Sequence, residues 1–268
     1  MMYETLLLTL DEHVAYLRFN RPDKANALNQ TSWDELKRAF EALDENDEVR
    51  VVVLAGEGKH FCAGIDLELL MTLSHTPGTC EGRTREQLRR QILNLQAPIN
   101  AIEQCSKPVV AAIHGGCIGA GLDIVSACDM RYATTEAYFS IREIDMGMVA
   151  DLGTLQRLPR ILSQGIVREL AYTGRSVYGP EAERIGLVNG TFEESTLLHE
   201  GVRTLARTIA AKSPLAIRGT KHILNHSRDH SVADGLAYMA TWNAAMLLSD
   251  DLKEAFQAKL QKRTPIYP

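Results

Sequence analysis

The sequence lacks the features that mark several large classes of protein. Its longest apolar stretches, such as Val109–Ile113, are far too short to span a bilayer. It has no basic excess: the formal net charge is −5, which argues against nucleic-acid partners and against binding to a membrane surface. It has neither a repeat of fixed period nor a low-complexity tract, which excludes a repeat array.

Cysteine is scarce and shows no pairing pattern. The number is odd, no two cysteines form a CxxC pair, and the five are Cys62, Cys80, Cys105, Cys117 and Cys128. This pattern fits reduced thiols better than it fits a disulfide framework or a zinc site. Met1–Asp11 has neither a basic segment leading into an apolar stretch nor an Arg/Ser-rich arm, and the C-terminus carries no peroxisomal tripeptide. We therefore predict a cytoplasmic location.

The composition is that of a globular protein with a core of normal size, because 45% of the 268 residues are apolar and 24% are charged. Leu6–Leu10 and His13–Phe19 predict an opening β-hairpin, and Arg50–Ala55 and Val109–Ile113 predict buried strands. After about Gly153 the pattern becomes mostly helical. The sequence thus predicts an α/β fold with a core over 1–195 and a helical region over 196–268, acting as one unit. Residues 74–85 predict a mobile loop.

Two glycine-rich turns each connect a predicted strand to the start of a predicted helix. Arg50–Ala55 leads through Gly56–Gly64 to a helix, and Val109–Ile113 leads through Gly115–Gly121 to another. A strand, a tight turn and a helix start leave backbone N–H groups without partners, and two of them converging on one oxygen form an oxyanion hole. For each glycine-rich segment taken alone, a simple turn with no role in an oxyanion hole is the alternative. The spacing of the glycines does not match that of a dinucleotide-binding loop.

Three acids follow these turns. Asp123 lies in the first turn of the predicted helix beside the Ala120 amide, where it is either functional or a helix cap. Glu143 follows a short strand, and Asp151 stands among apolar residues, where an unpaired carboxylate is costly. Asp145 competes with Glu143, but we interpret it as a surface residue. A cluster of acids separates their pKa values, as proton transfer between two carbons requires.

At these positions the sequence resembles the crotonase, or enoyl-CoA hydratase/isomerase, superfamily. The matching segments run in the family's order from about residue 14 to 225. They are Arg21-Pro22, Asn26–Leu28, Phe61–Asp66, Lys107–Gly115, Gly119–Asp123, Cys128-Asp129, Gln156–Leu158 and Ala182–Val188. The resemblance implies a spiral of ββα units, a C-terminal helical trimerisation region, and a homotrimer or homohexamer.

The resemblance also implies the roles of site residues. It places the oxyanion hole at the backbone N–H groups of Ala63 and Ala120, where the family usually has Gly at the second position. Lys24 is expected near the CoA phosphates, with a solvated surface lysine as the alternative. The full set expected to contact CoA or substrate is Lys24, Ala25, Cys62, Ala63, Gly64, Ile65, Asp66 and Ala120.

The three acids favour one subgroup. Ordinary hydratases have Glu, Glu and Gly at the positions of Asp123, Glu143 and Asp151, whereas Asp, Glu and Asp are similar to delta(3,5)-delta(2,4)-dienoyl-CoA isomerases. Further similarity lies in His114–Ile118, Ala150–Pro159 and Ser227–Ala233, within which His114 and His230 are assigned structural roles.

On this resemblance we hypothesise a 1,5-proton shift on an acyl-CoA in the β-oxidation of unsaturated chains. Glu143 serves C2 and Asp151 serves C6 in this hypothesis, and Asp123 either tunes both acids or binds a water. The sequence does not fix that polarity, the acyl-chain length or the exact substrate. No metal or redox cofactor is expected, because dipoles and acids suffice for this chemistry. An enoyl-CoA hydratase or shorter-shift isomerase is the alternative. A noncatalytic CoA- or RNA-binding scaffold is disfavoured by the retained acids.

Overall fold

Strands and helices alternate in the first part of the chain and give way to helices in the last. The computed structural model describes residues 2–73 and 80–268. The strands are β1 Leu6–Asp11, β2 Val14–Phe19, β3 Val51–Gly56, β4 Val109–Ile113, β5 Gly116–Ile118, β6 Met130–Thr134, β7 Tyr138–Ser140, β8 Val177–Tyr178 and β9 Gly190–Phe192. The helices are α1 Gln30–Glu45, α2 Leu67–Leu73, α3 Glu81–Gln104, α4 Ala120–Ser126, α5 Thr154–Arg157, α6 Gln164–Thr173, α7 Gly179–Arg184, α8 Ser195–Ala210, α9 Pro214–Ser227, α10 Val232–Met246 and α11 Asp250–Gln261.

The main sheet has the order β1-β2-β3-β4-β6-β9 within the described ranges. β1 and β2 form the predicted antiparallel hairpin, and every later neighbour pairs in parallel. Every residue of β3 and β4 is buried, as expected of parallel strands that are covered on both faces. The predicted α/β class is therefore confirmed.

Alternate residues of each strand face opposite layers. Val52 and Leu54 pack in the layer that contains α1 and α3, whereas Val51 and Val53 pack against α8. Because α8 covers the sheet, the predicted helical region begins with a helix that shares the core. The division at residue 195 stays a prediction. The later helices α9–α11 bury few residues.

The short strands fix the start of α4. β5 pairs in parallel with β7, and the N–H of Gly119 donates to the carbonyl of Ser140 at 2.9 Å. A β-bridge between Cys62 and Cys117 joins the two predicted glycine-rich turns. The sheet topology thus brings the end of β7, the start of α4 and the turn after β3 to one place.

The predicted loop over 74–85 is wrong at its C-terminal end, because α3 begins at Glu81. An ion pair between Glu81 and Arg85 at 3.0 Å supports this first turn; such a pair contributes about 0.2–0.5 kcal/mol, which offsets part of the cost of about 1 kcal/mol for Gly82 in a helix. Residues 74–79 of that prediction lie outside the described residues.

All five cysteines are free thiols, as predicted. None of the helices in the described ranges combines the length and hydropathy needed to cross a membrane.

Candidate active site

A cavity of about 730 Å³ lies where the two glycine-rich turns meet. Glu143 and Asp151 are the carboxylic acids in its wall, and Arg142 lines it as well. The rest of the wall is largely aliphatic and includes Ile65, Leu67, Leu70, Leu88, Ile92, Leu95, Ile118, Met146, Met148, Val149 and Leu152. Apolar walls with a few polar groups are typical of small-molecule sites. Sequence reasoning predicted the acids but did not identify most of the apolar wall.

The two turns are in contact at the floor of this cavity. The N–H of Ile118 donates to the carbonyl of Cys62 at 3.0 Å. Gly64 has a φ of +98°, and a Cβ there would lie 3.0 Å from the oxygen of Ile118 and 3.5 Å from the nitrogen of Ala120. Glycine at this position therefore lets the first turn approach the start of α4.

The amide of Ala63 is not the free donor that was predicted. Its N–H donates to the carbonyl of Ala25 at 3.0 Å. The neighbouring amide of Ile65 is different, because the β-bridge to Leu28 uses the carbonyl of Gly64 and the N–H of Asp66 and leaves that of Ile65 unused. Within the described residues the Ile65 N–H has no hydrogen-bond partner, and the residue lines the cavity.

The amide of Ala120 is available as predicted. Ala120 is the first residue of α4, and its N–H has no partner in the described ranges, whereas those of Leu122 and Asp123 donate to the carbonyl of Gly119. Unpartnered N–H groups at a helix start are ready donors to an anionic oxygen. Ala120 is absent from the positive-φ residues, so alanine needs no special backbone conformation here.

Asp123 is fully buried and is not among the residues that line the cavity. Its Oδ1 accepts the N–H of Thr154 at 2.6 Å, while its Oδ2 has no partner among the described residues. Burial raises the pKa of Asp123 to about 6, against the lowering effect of the hydrogen bonds from Thr154. The carboxyl can therefore influence the cavity through its charge.

Glu143 is the first residue of a 3₁₀ turn that is separated from the end of β7 by two residues. Its Oε1 lies 3.2 Å from the position that a Cβ of Gly119 would occupy, next to the start of α4. Burial, followed by the nearby carboxyl of Asp123, raises the pKa of Glu143 to about 7. A group with a pKa close to neutrality can both take and return a proton.

Asp151 lines the same cavity from the segment before α5. The residue as a whole is exposed, but desolvation of its carboxyl raises the pKa above its ordinary value. Asp145 is also exposed, but it does not line the cavity and it is paired with Arg142 at 2.8 Å, in keeping with its interpretation as a surface residue. The fold thus brings Glu143 and Asp151, eight positions apart, to one cavity.

The remaining predicted contact residues divide into two groups. Ala63, Gly64, Ile65 and Ala120 line the cavity. Cys62 does not, because it is fully buried and its sulfur accepts the N–H of Gly64 at 3.4 Å; burial raises the pKa of this thiol to about 12.

The predicted CoA contacts outside the cavity wall lie near the first turn. Lys24 is exposed in the 3₁₀ turn Pro22–Lys24, and Asp66 pairs with Arg21 at 3.1 Å. Ala25 holds the amide of Ala63. Their contacts with CoA stay predictions.

Asn26 is a structural residue of the site whose role sequence reasoning missed. It is buried at a φ of +56°, its Oδ1 accepts the N–H of Arg21, and its Nδ2 donates to the carbonyls of Glu57 and His60. It therefore ties the chain before α1 to the turn after β3. The signal was its place in a matched segment, but its partners are distant in sequence.

Comparisons with known proteins extend over nearly the whole chain. A family model described as Enoyl-CoA hydratase/isomerase matches residues 9–268. The peroxisomal Delta(3,5)-Delta(2,4)-dienoyl-CoA isomerase of Arabidopsis thaliana is 51% identical over 98% of this chain and 96% of its own length. The mitochondrial Delta(3,5)-Delta(2,4)-dienoyl-CoA isomerase of Mus musculus is 44% identical over 97% of this chain and 81% of its own length. The crystal structure of enoyl-CoA hydratase from Bacillus anthracis has a TM-score of 0.89 at 32% identity and covers 98% and 99% of the two chains.

The predicted cytoplasmic location is wrong. The similar isomerases of Arabidopsis thaliana and Mus musculus are named peroxisomal and mitochondrial. Free cysteines distinguish an oxidising compartment from a reducing one, and they cannot choose among compartments in which thiols stay reduced.

Proposed function

The chain belongs to the enoyl-CoA hydratase/isomerase family, and on this premise we infer that it converts 3,5-dienoyl-CoA to 2,4-dienoyl-CoA in the oxidation of unsaturated acyl chains. It is a delta(3,5)-delta(2,4)-dienoyl-CoA isomerase, as are relatives up to 51% identical to it. The observation that carries this function is the pair of carboxyls, Glu143 and Asp151, in one largely apolar cavity. A proton shift between two distant carbons requires two such groups.

The amides of Ile65 and Ala120 hold the thioester oxygen in this proposal. Both residues line the cavity and both N–H groups lack partners within the described ranges. When C2 loses a proton, negative charge develops on that oxygen, and preorganised donors stabilise it without reorganising. Ile65 replaces Ala63 in this role, because the N–H of Ala63 is already bonded.

Glu143 removes the C2 proton and Asp151 supplies a proton to C6. The C2–H bond breaks and its electron pair forms the dienolate. The double bonds then move from C3=C4 and C5=C6 to C2=C3 and C4=C5 as a C6–H bond forms. One turnover therefore leaves Glu143 protonated and Asp151 ionised, and the two must exchange protons with solvent or each other before the next. The position of Glu143 beside Gly119 favours it for the thioester end.

Asp123 tunes Glu143 from a buried position outside the cavity wall. Its carboxyl raises the pKa of Glu143, and it has no place in the cavity wall. A hydratase would use Asp123 and Glu143 together to hold a water, which the burial of Asp123 disfavours. The reaction needs no metal or redox cofactor, because backbone dipoles and carboxyls provide both the charge stabilisation and the proton transfers.

The protein acts as a trimer or a hexamer in this proposal. Apolar side chains are exposed along the last helices, among them Val232 and Leu236 on α10 and Phe256 and Leu260 on α11. Such patches mark interaction surfaces, and a second copy of the chain supplies the matching face in a symmetric assembly.

The test is the ultraviolet spectrum of the protein mixed with 3,5-octadienoyl-CoA. We expect the long-wavelength band of the conjugated dienoyl thioester to grow with the parent protein. Asp151→Asn should reduce its rate by about a thousandfold, because it removes an acid that acts on substrate. Asp145→Asn, an exposed acid close by, is the matched control and should keep the parent rate. Loss of the enoyl band of crotonyl-CoA, with no dienoyl band, would instead support a hydratase.

A further inference from the structure

A second cavity, of about 400 Å³, shares the segment Asp151-Leu152 with the first. Its lining is polar and comprises Gln96, Asn100, Glu103, Asp151, Leu152, Gly153, Gln156, Arg157, Arg160, Arg228 and Asp229. Asp151 and Leu152 therefore form a partition that separates an apolar cavity from a charged one. The contacts on the charged side decide how firmly this partition is held.

Arg157 makes the main contacts on that side. Only 11% of its side chain is exposed. One end of the guanidinium donates to Oδ1 of Asn100 at 2.9 Å and to Oε2 of Glu103 at 3.0 Å, and the other points to the carbonyl of Leu152 at 3.4 Å. The planar guanidinium fixes both ends at once, so Arg157 links α3 to the partition.

Gly153 makes this arrangement possible. Its φ is +130°, and a Cβ at this position would lie 1.8 Å from Nη1 of Arg157. Any side chain here would displace the guanidinium. The glycine and the arginine therefore form one packed unit against the turn of residues 151–154.

One face of α3 supports this unit. Gln96, Asn100 and Glu103 are spaced by four and three residues, so they share a helix face. The amide of Gln96 donates to the carbonyl of Asp151 at 2.6 Å. Glu103 also pairs with Arg228, and the hydrogen bonds from Arg157 and Arg228 overcome burial and lower its pKa. Glu103 thus stays ionised and anchors Arg157.

The turn is held from the active-site side as well. The N–H of Thr154 donates to Asp123, so Asp151, Leu152 and Thr154 each have a backbone atom fixed by a side chain. The carboxyl of Asp151 itself has no hydrogen bond or ion pair to another described residue. Its location is therefore set by the backbone of the turn.

We propose that Arg157 is a positioning residue for the isomerisation: with the α3 face it holds the turn 151–154, so that the carboxyl of Asp151 stays in the wall of the acyl cavity. This proposal rests on the proposed role of Asp151. Arg157 is not among the residues that line the acyl cavity, and in this proposal it acts through the backbone of the residues beside it.

The test compares Arg157→Lys and Arg157→Gln with the parent on 3,5-octadienoyl-CoA. Both variants lose the fork of hydrogen bonds, and we expect kcat to fall by about tenfold to a hundredfold with little change in KM, as misplacement of a catalytic group does. The positive charge of Arg157 lowers the pKa of Asp123. In the Gln variant Asp123 should therefore stay protonated to higher pH and raise the pKa of Glu143 less, so the limb of the pH profile that Glu143 controls should move to lower pH. In the Lys variant, which keeps the charge, the profile should stay in place.

Arg160→Gln is the matched control. Arg160 lines the same charged cavity and pairs with Asp229 at 2.6 Å, but it does not contact the turn. Its kcat should stay within about twofold of the parent, since exposed pairs contribute little. Parent values of kcat and an unshifted pH profile in both Arg157 variants would overturn the proposal.

Gln96→Met provides an independent test if the Arg157 variants do not fold. It removes one hydrogen bond to Asp151 and keeps the size of the side chain. The proposal requires kcat to fall by about threefold to tenfold at an unchanged melting temperature, and an unchanged kcat would refute it. Failure of the proposed function is distinguishable, because the parent protein itself would then form no dienoyl band.

Discussion

The acids of this site were predictable at the scale of single residues, but on different grounds. Asp123 and Glu143 were indicated by their positions after the glycine-rich turns and by the family resemblance, whereas Asp151 was indicated by the cost of an unpaired carboxylate. Asp151 is flanked by apolar residues in the sequence, and the structure places it in an apolar wall. The same logic did not identify the free amide. The N–H of Ala63 is bonded to Ala25 and that of Ile65 is not, and this depends on segments that meet only in the fold.

Asp123 gives a prediction about stability and pH. Its ordinary pKa is 3.8 and burial raises it to about 6 in the folded chain. The folded state therefore binds more protons than the unfolded state between these values, so stability falls as pH rises through this window. Above it the cost of the charged form is on the order of 3 kcal/mol.

Asp123→Asn removes the charge and keeps an Oδ1 that can accept the N–H of Thr154. The free energy of unfolding of the variant minus that of the parent should therefore increase by about 3 kcal/mol as the pH rises from 3.5 to 8. Urea unfolding at fixed protein concentration across this range measures it, with Asp145→Asn as the exposed control. A difference that does not change with pH would show that Asp123 ionises in the fold as easily as in the unfolded chain.

At the scale of elements, local sequence patterns predicted the first strands but not the first turn of α3. The hairpin and the buried strands were predictable from their apolar patterns. The start of α3 at Glu81 was not, because Gly82 and nearby Pro77 and Gly78 suggested a loop. The helix forms there because its later turns pack against α1 and line the acyl cavity. These contacts are made with segments distant in the sequence, so the local pattern does not reveal them.

Ala120 allows the donor role of α4 to be separated from its folding. Proline suits the first helical position, because the N–H it lacks has no intrahelical partner there. Ala120→Pro should thus fold, yet lose about a hundredfold to a thousandfold in kcat/KM with the removal of one donor. Ala120→Gly keeps the N–H and should retain activity, at a stability cost of about 1 kcal/mol or less.

Dienoyl-CoA turnover together with thermal melting checks this pair of variants. A proline variant that melts like the parent and retains its activity would remove Ala120 from the oxyanion hole. An inactive glycine variant would show instead that the alanine side chain matters.

At the scale of the whole molecule, the family resemblance predicted the fold, and the arrangement of the last helices follows from burial. α8 packs on the sheet through Leu198 and Val202, whereas α10 leaves Val232 80% and Leu236 66% exposed. A helix that is apolar on its outer face is a poor surface in water and a good one in an interface. The apolar face of α10 is therefore the surface that a second copy of the chain covers in the proposed assembly.

The assembly prediction follows from that surface. Sedimentation of the parent should give three or six times the 29.7 kDa of one chain. Val232→Glu combined with Leu236→Glu places two charges in the proposed interface, where desolvation of unpaired charge is costly, and should shift the protein to a monomer. Leu197→Glu, at an exposed position of α8, is the control and should keep the parent's mass. A parent that sediments as a monomer at micromolar concentration would leave the apolar face of α10 without the partner proposed for it.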